Sequence, residues 1–179
     1  MVIIRLASLL TILAVVQPQL TVPQPYECPI TKAPAERFIP PLPWKPMAVP
    51  ESSNDARFNN TFLLGTPGLW AYVSNHWTLG VEQNKLPYFS ERYDWTKAAD
   101  PPLAVAARRL DAPAPLVWAR WVNGASPSYK PSEGLDRSRR DGFMVTSLEI
   151  PSKGCWEISA HLTDVRDKVE TVTYVTLVD

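Results

Sequence analysis

The residues with the chemistry of a hydrolase lie close together around His161. The stretch from Glu157 to Asp164 places a histidine among a serine and two carboxylates, the side chains of a nucleophilic triad. A triad nucleophile also needs a sharp turn, typically Gly-x-Ser-x-Gly, and the sequence contains no such pattern. Alternate residues of a strand are neighbours on one face in any case, so a solvated strand face explains the grouping more simply.

A second acidic and aromatic region runs from Trp77 to Asp100. Paired carboxylates beside aromatic rings are typical of glycoside hydrolases, and the same residues describe a non-catalytic sugar or peptide groove. A loop that packs its own aromatic side chains is the simpler interpretation, so the sequence assigns no catalytic residue. The candidate groove residues are Trp77, Tyr88, Glu91, Tyr93 and Trp95.

The two histidines and two cysteines have no recognisable metal-ligand spacing. His76 follows a serine and an asparagine in a predicted turn, where these residues are common without any ligand. The sequence also lacks the His-Glu-x-x-His, Walker A, dinucleotide-binding and EF-hand patterns. We therefore predict no metal and no cofactor.

The composition limits both the partners and the fold. Eighteen basic and eighteen acidic side chains cancel over 179 residues, which disfavours binding to nucleic acid or to an anionic membrane. The basic residues at 137–140 are flanked by aspartates and are typical of an exposed loop. Nineteen prolines against seven glycines disfavour long helices and predict short strands joined by proline-containing turns.

The first 21 residues have the pattern of a secretory signal peptide, with Arg5 ahead of an apolar run over residues 6–16. This run is too short to cross a bilayer, so we expect no integral membrane span. No tidy cleavage motif follows, and the cut is bracketed only between Ala14 and Thr21, with a retained short anchor as the alternative. In an oxidising compartment a pair of cysteines is more often a disulfide than a metal or redox site.

Residues 22–60 form a proline-rich segment, here called the strap, ahead of the globular part. Nine prolines between residues 22 and 50 favour extended polyproline conformations. The apolar side chains within it favour packing onto the domain over a free linker, because a simple spacer seldom carries so many. These side chains are Tyr26, Ile30, Phe38, Ile39, Leu42 and Trp44.

Seven short strands separated by turn signals are predicted after residue 61, and this number and spacing of strands is typical of a β-sandwich with little helix. The last two predicted strands form a hairpin in which apolar residues from Trp156 to Leu162 alternate with mostly polar ones, so the apolar face should enter the core. The final strand is apolar on both faces, which predicts an interior position in its sheet. The predicted strands cover residues 69–74, 77–81, 103–110, 116–122, 143–150, 155–162 and 169–178.

Trp118 and Trp121 fall in the predicted strand 116–122, an odd number of residues apart, so they should point to opposite faces. One can join the core, and the other is either covered by the strap or marks a contact surface. This pair is the best indication of a partner in the sequence.

The stretch IPSKGCWEIS, residues 150–159, has the form of an immunoglobulin-type corner. In such a corner a glycine, a large aromatic residue and an apolar residue at alternate positions lead the chain from one sheet into the other. Gly154, Trp156 and Ile158 occupy these positions, with tryptophan in place of the usual tyrosine. The indole N–H of a buried tryptophan needs a hydrogen-bond acceptor, so this corner bond should be rearranged.

Three further stretches accompany the corner: RRLDAPAP at 108–115, GTPGLW at 65–70 and CPITKAP at 28–34. Together these motifs resemble a group of uncharacterised exported bacterial proteins with an immunoglobulin-like C-terminal half. The resemblance implies export and a sandwich fold, and it implies no activity.

The resemblance also sharpens the interpretation of the cysteines. Cys155 lies on the polar side of its strand, so its sulfur should point away from the core towards whatever covers that face. The strap segment that carries Cys28 is the natural cover, and we predict a Cys28–Cys155 disulfide. The alternative is a pair of unpaired thiols.

The sequence as a whole predicts a signal peptide over 1–21, a strap or linker over 22–60 and an immunoglobulin-like β-sandwich over 61–179. The expected function is an exported, non-enzymatic binding or envelope-structural module, periplasmic or extracellular, with a protein or glycan of the bacterial envelope as partner. The alternative is a cell-envelope hydrolase that acts on a glycan through the acidic and aromatic residues of 77–100. Fold class alone does not choose between them, because sandwiches host both.

Overall fold

The computed structural model describes residues 26–41, 61–80, 85–94, 101–125, 143–163 and 168–179. Within these ranges every element of regular secondary structure is a β-strand, and the strands pair into two five-stranded sheets. The prediction of an all-β sandwich is therefore confirmed. The strands are β1 (Thr61–Thr66), β2 (Leu69–Ser74), β3 (His76–Trp77), β4 (Lys85–Phe89), β5 (Leu103–Arg109), β6 (Val117–Trp118), β7 (Trp121–Ala125), β8 (Phe143–Ser147), β9 (Gly154–Thr163) and β10 (Val169–Val178).

The strand order is that of an immunoglobulin-like sandwich. Sheet A has the order β1-β2-β4-β8-β7, and sheet B has the order β3-β10-β9-β5-β6. Neighbouring strands are antiparallel, except that β3 pairs with β10 in parallel. Strands β2, β4, β8 and β7 correspond to A, B, E and D of an immunoglobulin domain, and β5, β9 and β10 correspond to C, F and G.

Most of the predicted strands are present. Strands β2 and β10 have the predicted bounds, and β5, β8 and β9 differ from the predicted bounds by at most three residues at either end. Strand β10 lies between β3 and β9, which is the interior position expected from its two apolar faces.

The two unpredicted strands, β1 and β4, have weak local signals. The apolar run in β1 is three residues long, and β4 contains Pro87, whose nitrogen cannot donate to a ladder. Strand β4 pairs with β2 only through Tyr88 and Phe89, so Pro87 lies beyond that pairing. The predicted strand 77–81 is wrong, because the strand here is His76–Trp77 and the chain turns at residues 79–80.

The predicted strand over residues 116–122 is also wrong, because the chain changes sheets within it. The N–H of Ala119 donates to a carbonyl of β5 at 2.9 Å, and the N–H of Arg120 donates to a carbonyl of β8 at 2.8 Å. Trp118 therefore belongs to β6 in sheet B and Trp121 to β7 in sheet A. The two tryptophans do not lie on opposite faces of one strand.

The main core lies between the two sheets. In β9 the apolar residues from Trp156 to Leu162 are at most 3% exposed, which confirms the predicted alternation. Burial of this apolar surface is the main favourable contribution to folding. Other large members of the core are Leu69, Val73, Tyr88, Val105, Met144, Leu148 and Tyr174.

Tyr88 of β4 and Tyr174 of β10 meet across the core through their hydroxyl groups. Burial raises the pKa of both phenols well above the usual value, so both remain neutral. Within the described ranges neither hydroxyl has a hydrogen bond of standard geometry, and Thr146 Oγ1 of β8 is likewise buried and unpaired.

We expect the double substitution Tyr88→Phe/Tyr174→Phe to leave the free energy of unfolding within about 1 kcal/mol of wild type. Removing two imperfectly paired hydroxyls together keeps the shape of the core and leaves neither phenol without its neighbour. Each single substitution should cost more than the double, because it leaves one phenol without its neighbour. Urea unfolding of all three variants measures this, and a double variant that is less stable than either single variant contradicts it.

Candidate functional site

A disulfide joins the strap to β9. Cys28 and Cys155 are bonded with their Cα atoms 5.5 Å apart, so the predicted pairing is confirmed. Cys155 is buried but lies on the outer face of sheet B, while its neighbour Trp156 lies in the core. The sulfur therefore points out of the sandwich and meets the strap, as the polar side of the strand predicted.

Hydrogen bonds hold the strap along β10. The N–H of Thr31 donates to the Val175 carbonyl at 3.0 Å, and the N–H of Val175 donates to Thr31 Oγ1 at 2.7 Å. The side-chain amide of Asn75 donates to the Thr31 carbonyl at 3.0 Å. The strap therefore continues the edge that β3 begins, and this part of it is packed on sheet B.

The far end of the described strap reaches sheet A. The Phe38 ring lies 5.6 Å from the Trp70 ring between centroids. Trp70, Tyr72 and Phe89 form a second apolar cluster on the outer face of sheet A, and Phe38 packs against it. The strap therefore passes from one sheet to the other and contacts both.

Not every apolar side chain of the strap is packed. Tyr26 and Ile39 are 51% and 79% exposed. Leu42 and Trp44 lie outside the described residues, as does the predicted signal peptide over 1–21. The interpretation of the strap as a cover therefore holds for its cysteine, Thr31 and Phe38, and does not extend to every apolar residue in it.

The corner before β9 is built around Trp156. Its indole N–H donates to the Ser152 carbonyl, four residues earlier, at 3.1 Å. A tyrosine hydroxyl makes the corresponding bond to upstream backbone in immunoglobulin corners, so the larger ring performs the same bracing. Gly154 adopts φ +139°, which side-chain-bearing residues rarely adopt, and Ile158 packs in the core.

An arginine and an aspartate close over this corner. The Arg109 guanidinium donates to both Asp111 oxygens, at 2.7 and 3.4 Å, and to Ser152 Oγ at 3.2 Å. A Cβ atom at Gly154 would lie 2.8 to 2.9 Å from atoms of both charged side chains, so the site fits only glycine without a shift. The motifs RRLDAPAP and IPSKGCWEIS therefore form one structural unit beside the disulfide.

Asp111 should make stability depend on pH at the acid end. The hydrogen bond from Arg109 is the largest cause that lowers the pKa of Asp111 below its usual value of 3.8. Because the pKa is depressed in the folded state, this contribution is complete above the unfolded pKa and is lost as the pH falls through the folded pKa. We expect wild type to lose its Tm advantage over Asp111→Asn as the pH falls from about 5 towards 2.

The matched control for Asp111→Asn is Glu149→Gln, which removes one side of the more exposed ion pair with Arg120. Glu149→Gln should change the acid part of the Tm profile less. Parallel profiles for wild type and Asp111→Asn would contradict the assigned role of this carboxylate.

The GTPGLW motif forms the turn between β1 and β2. Gly65 adopts φ +135° and lies directly opposite Trp70. Gly68 packs so closely against Glu170 of β10 that a Cβ there would overlap with the carboxyl group. Glu170 also pairs with Arg92 at 2.9 Å and with Lys168 at 2.8 Å. This motif therefore joins a turn of sheet A to a strand of sheet B.

Most of the candidate groove between residues 77 and 95 belongs to the core. Trp77, Tyr88 and Tyr93 are 5%, 0% and 5% exposed and pack in the main core. Glu91 is exposed in a turn, and Trp95 lies outside the described residues. Rings packed between the sheets cannot line a groove open to solvent. These three residues therefore follow the simpler interpretation, in which the aromatic side chains of this region pack inward.

Each histidine has a serine two residues earlier in the sequence, but the imidazole ring does not contact the hydroxyl of that serine. His161 Nδ1 is 3.1 Å from a threonine hydroxyl of β10, and the hydroxyl of Ser159 pairs with another threonine of β10 at 3.0 Å. His76 Nε2 contacts the Asp179 carboxylate, whereas the Ser74 hydroxyl bonds to the backbone of His76. In neither case is a serine hydroxyl paired with an imidazole.

The exposed tryptophan of the described surface is Trp118, on the two-residue edge strand β6. Its side chain is 59% exposed, and Leu116, two residues earlier, is 49% exposed. The described part of the strap, residues 26–41, is bonded to Cys155 and packs on the Trp70 cluster, and it leaves Trp118 open. The sequence singled out this residue together with Trp121, but the side chain of Trp121 lies outside the description.

In comparisons with known proteins, no family model matches the chain, and neither the curated proteins nor the solved structures include a significant match. Within the described ranges no helix is long and apolar enough to span a membrane. The same ranges contain no cluster of three or more His, Cys, Asp or Glu side chains that could hold a metal ion.

Proposed function

We propose that this chain is an exported, non-enzymatic binding or envelope-structural module. The observation that carries the proposal is the exposure of Trp118, since Trp70, Trp77 and Trp156 are at most 5% exposed. Leaving an indole in water forgoes the free energy of burying a large apolar surface. Its exposure on a sheet edge is expected where a ligand or partner covers it.

The disulfide supports the exported location. Disulfides persist in oxidising compartments and are rare where thiols are kept reduced, and Cys28 and Cys155 are joined here. The apolar run over residues 6–16 has the pattern of a signal peptide. Together they support a periplasmic or extracellular location.

Intact mass tests export and the disulfide together. We expect the mature chain from an envelope or medium fraction to begin within residues 15–22, and to take up no alkylating reagent until it is reduced. A chain recovered only from the cytosol, uncut and with both thiols alkylated, would contradict export.

No observation favours the alternative of an envelope hydrolase that acts through residues 77–100. Trp77, Tyr88 and Tyr93 are core residues, so they are not free to stack on a substrate. A glycosidase requires two carboxylates at a set distance across a cleft. Within 77–100 the described carboxylates are Glu91, which is exposed, and Asp94, which is half-buried, whereas Glu82 and Asp100 lie outside the described residues.

Binding is tested by co-sedimentation of the purified mature protein with envelope preparations. We expect wild type to sediment with intact envelopes and Trp118→Ala to bind at least about tenfold less tightly, as for a central aromatic contact. The matched control is Ile39→Ala, which truncates a large apolar side chain that is 79% exposed on the strap. Equal sedimentation of wild type and Trp118→Ala, or none by wild type, would count against the proposal.

A further inference from the structure

The outer face of sheet B carries one row of side chains that leads away from Trp118. Trp118 pairs with Ala106 of β5, Ala106 pairs with Ser159 of β9, and Ser159 pairs with Thr173 of β10. Residues paired across neighbouring strands project on the same face, so this row crosses four strands. Beyond the indole, the row contains only a methyl group and two hydroxyl side chains.

The next row along the strands is similar. Ala104 pairs with His161, and His161 pairs with Thr171. Nδ1 of His161 lies 3.1 Å from the Thr171 hydroxyl, and the histidine side chain is exposed. Trp118 therefore stands at one side of a shallow floor of small side chains, with hydroxyl and imidazole groups along the floor.

The charges on this face cancel. Arg108 and Glu157 lie on the row on the other side of Trp118, and their side chains pair at 2.9 Å. Among the described residues of these three rows, Arg108 and Glu157 are the charged pair, and a paired cation and anion attract neither a polyanion nor a cationic peptide. This disfavours nucleic acid and anionic lipid as occupants.

The edge beside Trp118 is also poorly suited to an added peptide strand. Strand β6 has two residues, and Pro113 and Pro115 precede it. Short edges with nearby prolines offer few free backbone groups for pairing. The exposed apolar side chains here are Trp118 and Leu116, which is a small area for a protein interface.

We propose that this outer face of sheet B binds a neutral glycan, a proposal that rests on the binding role inferred above. The C–H face of a pyranose ring is apolar and weakly positive, and it stacks on the electron-rich face of the Trp118 indole. The ring hydroxyls of the following sugars bond to Ser159, Thr173 and His161 Nε2 across the floor. An uncharged polymer with alternating apolar faces and hydroxyl edges fits a face with one large ring and a row of hydroxyl groups.

The experiment is titration of the mature, disulfide-bonded protein with three uncharged probes: tetra-N-acetylchitotetraose, cellotetraose and maltotetraose. We expect at least one probe to shift the indole N–H resonance of Trp118 and the amide resonances of residues 104–106 and 159–161. Substitution Trp118→Phe assigns the indole signal by its disappearance. Trp118→Ala should weaken binding of that probe at least tenfold, and Ser159→Ala/Thr173→Val should weaken it less.

Two outcomes overturn the glycan proposal: no probe shifts these resonances at millimolar concentration, or Trp118→Ala binds a probe as tightly as wild type. Trp118→Ala should keep the fold, because the side chain is 59% exposed, and its Tm is measured first. Ile39→Ala is again the matched control and should bind like wild type.

A second arm separates this proposal from the broader binding role. Wild type and Trp118→Ala are each sedimented with protein-free sacculi and with intact envelopes, and the amount of protein retained in each pellet is compared. Trp118-dependent retention on intact envelopes, without binding to sacculi or to any oligosaccharide, would identify a protein partner and overturn the glycan proposal alone. No retention on either material would count against both.

Discussion

We expect Cys28→Ala/Cys155→Ala to lower the free energy of unfolding by up to about 4–5 kcal/mol, the chain-entropy value for a loop of this length. The two cysteines are 127 residues apart, so the disulfide closes most of the 179-residue chain into one loop. The bond removes extended conformations from the unfolded state, and this stabilisation is lost when both sulfurs are replaced. Alanine avoids placing a hydroxyl at the buried position 155.

The folded state should change at one place in this variant. Without the bond, the strap is held by Thr31 and Phe38, and we expect amides near Thr31 to exchange with solvent faster while those of β9 stay protected. Wild type under reducing conditions is the matched control, since it removes the bond without changing the sequence. Guanidinium unfolding in both cases measures the effect, and equal stability with and without the bond would contradict it.

Gly65→Ala should be the most damaging of the alanine substitutions at Gly65, Gly68, Gly80 and Gly154, with a loss of about 3 kcal/mol or more in the free energy of unfolding. The backbone at Gly65 has φ +135°, where a Cβ is strained in any surroundings. That Cβ would also lie 2.3 Å from the Leu69 carbonyl oxygen and 2.6 Å from the Trp70 Cα. Both atoms are backbone atoms of the paired strand β2, so neither can rotate away.

Gly80→Ala is the matched control for this prediction. Gly80 also has a positive φ, +80°, but no heavy atom lies within 4 Å of an added Cβ. It should lose only the backbone strain, about 1–2 kcal/mol. Thermal unfolding of both variants separates steric overlap from strain, and equal losses at the two positions would show that overlap at Gly65 is unimportant.

Local patterns were sufficient where one face of a strand differs from the other. The alternation from Trp156 to Leu162 needs only the two-residue repeat of an extended chain, and it predicted both the core face of β9 and the outward direction of Cys155. Arg108 and Arg109, adjacent in β5, separate in the same way, one to Glu157 and the other to Asp111.

Local patterns were insufficient where the fate of a residue depends on a distant strand. Trp77, Tyr88 and Tyr93 could have lined a groove or packed inward, and the opposite sheet decided that they pack inward. The chain changes sheets between Trp118 and Trp121 because Ala119 hydrogen-bonds to β5 and Arg120 to β8. These two strands belong to different sheets, and one precedes this segment in the sequence while the other follows it. No pattern within residues 116–122 contains that information.

Local sequence patterns predict an all-β sandwich with an alternating core strand, and they favour a disulfide from that strand to the proline-rich strap over two unpaired thiols. The roles of the remaining motifs follow from packing in the folded chain: Arg109 reaches Ser152 across 43 residues to close the corner, Gly68 lies against Glu170, and Trp118 is exposed. The two kinds of interaction differ in range along the chain. Backbone sterics and apolar periodicity act over a few residues, whereas side-chain pairs and sheet crossings join positions that only the folded chain brings together.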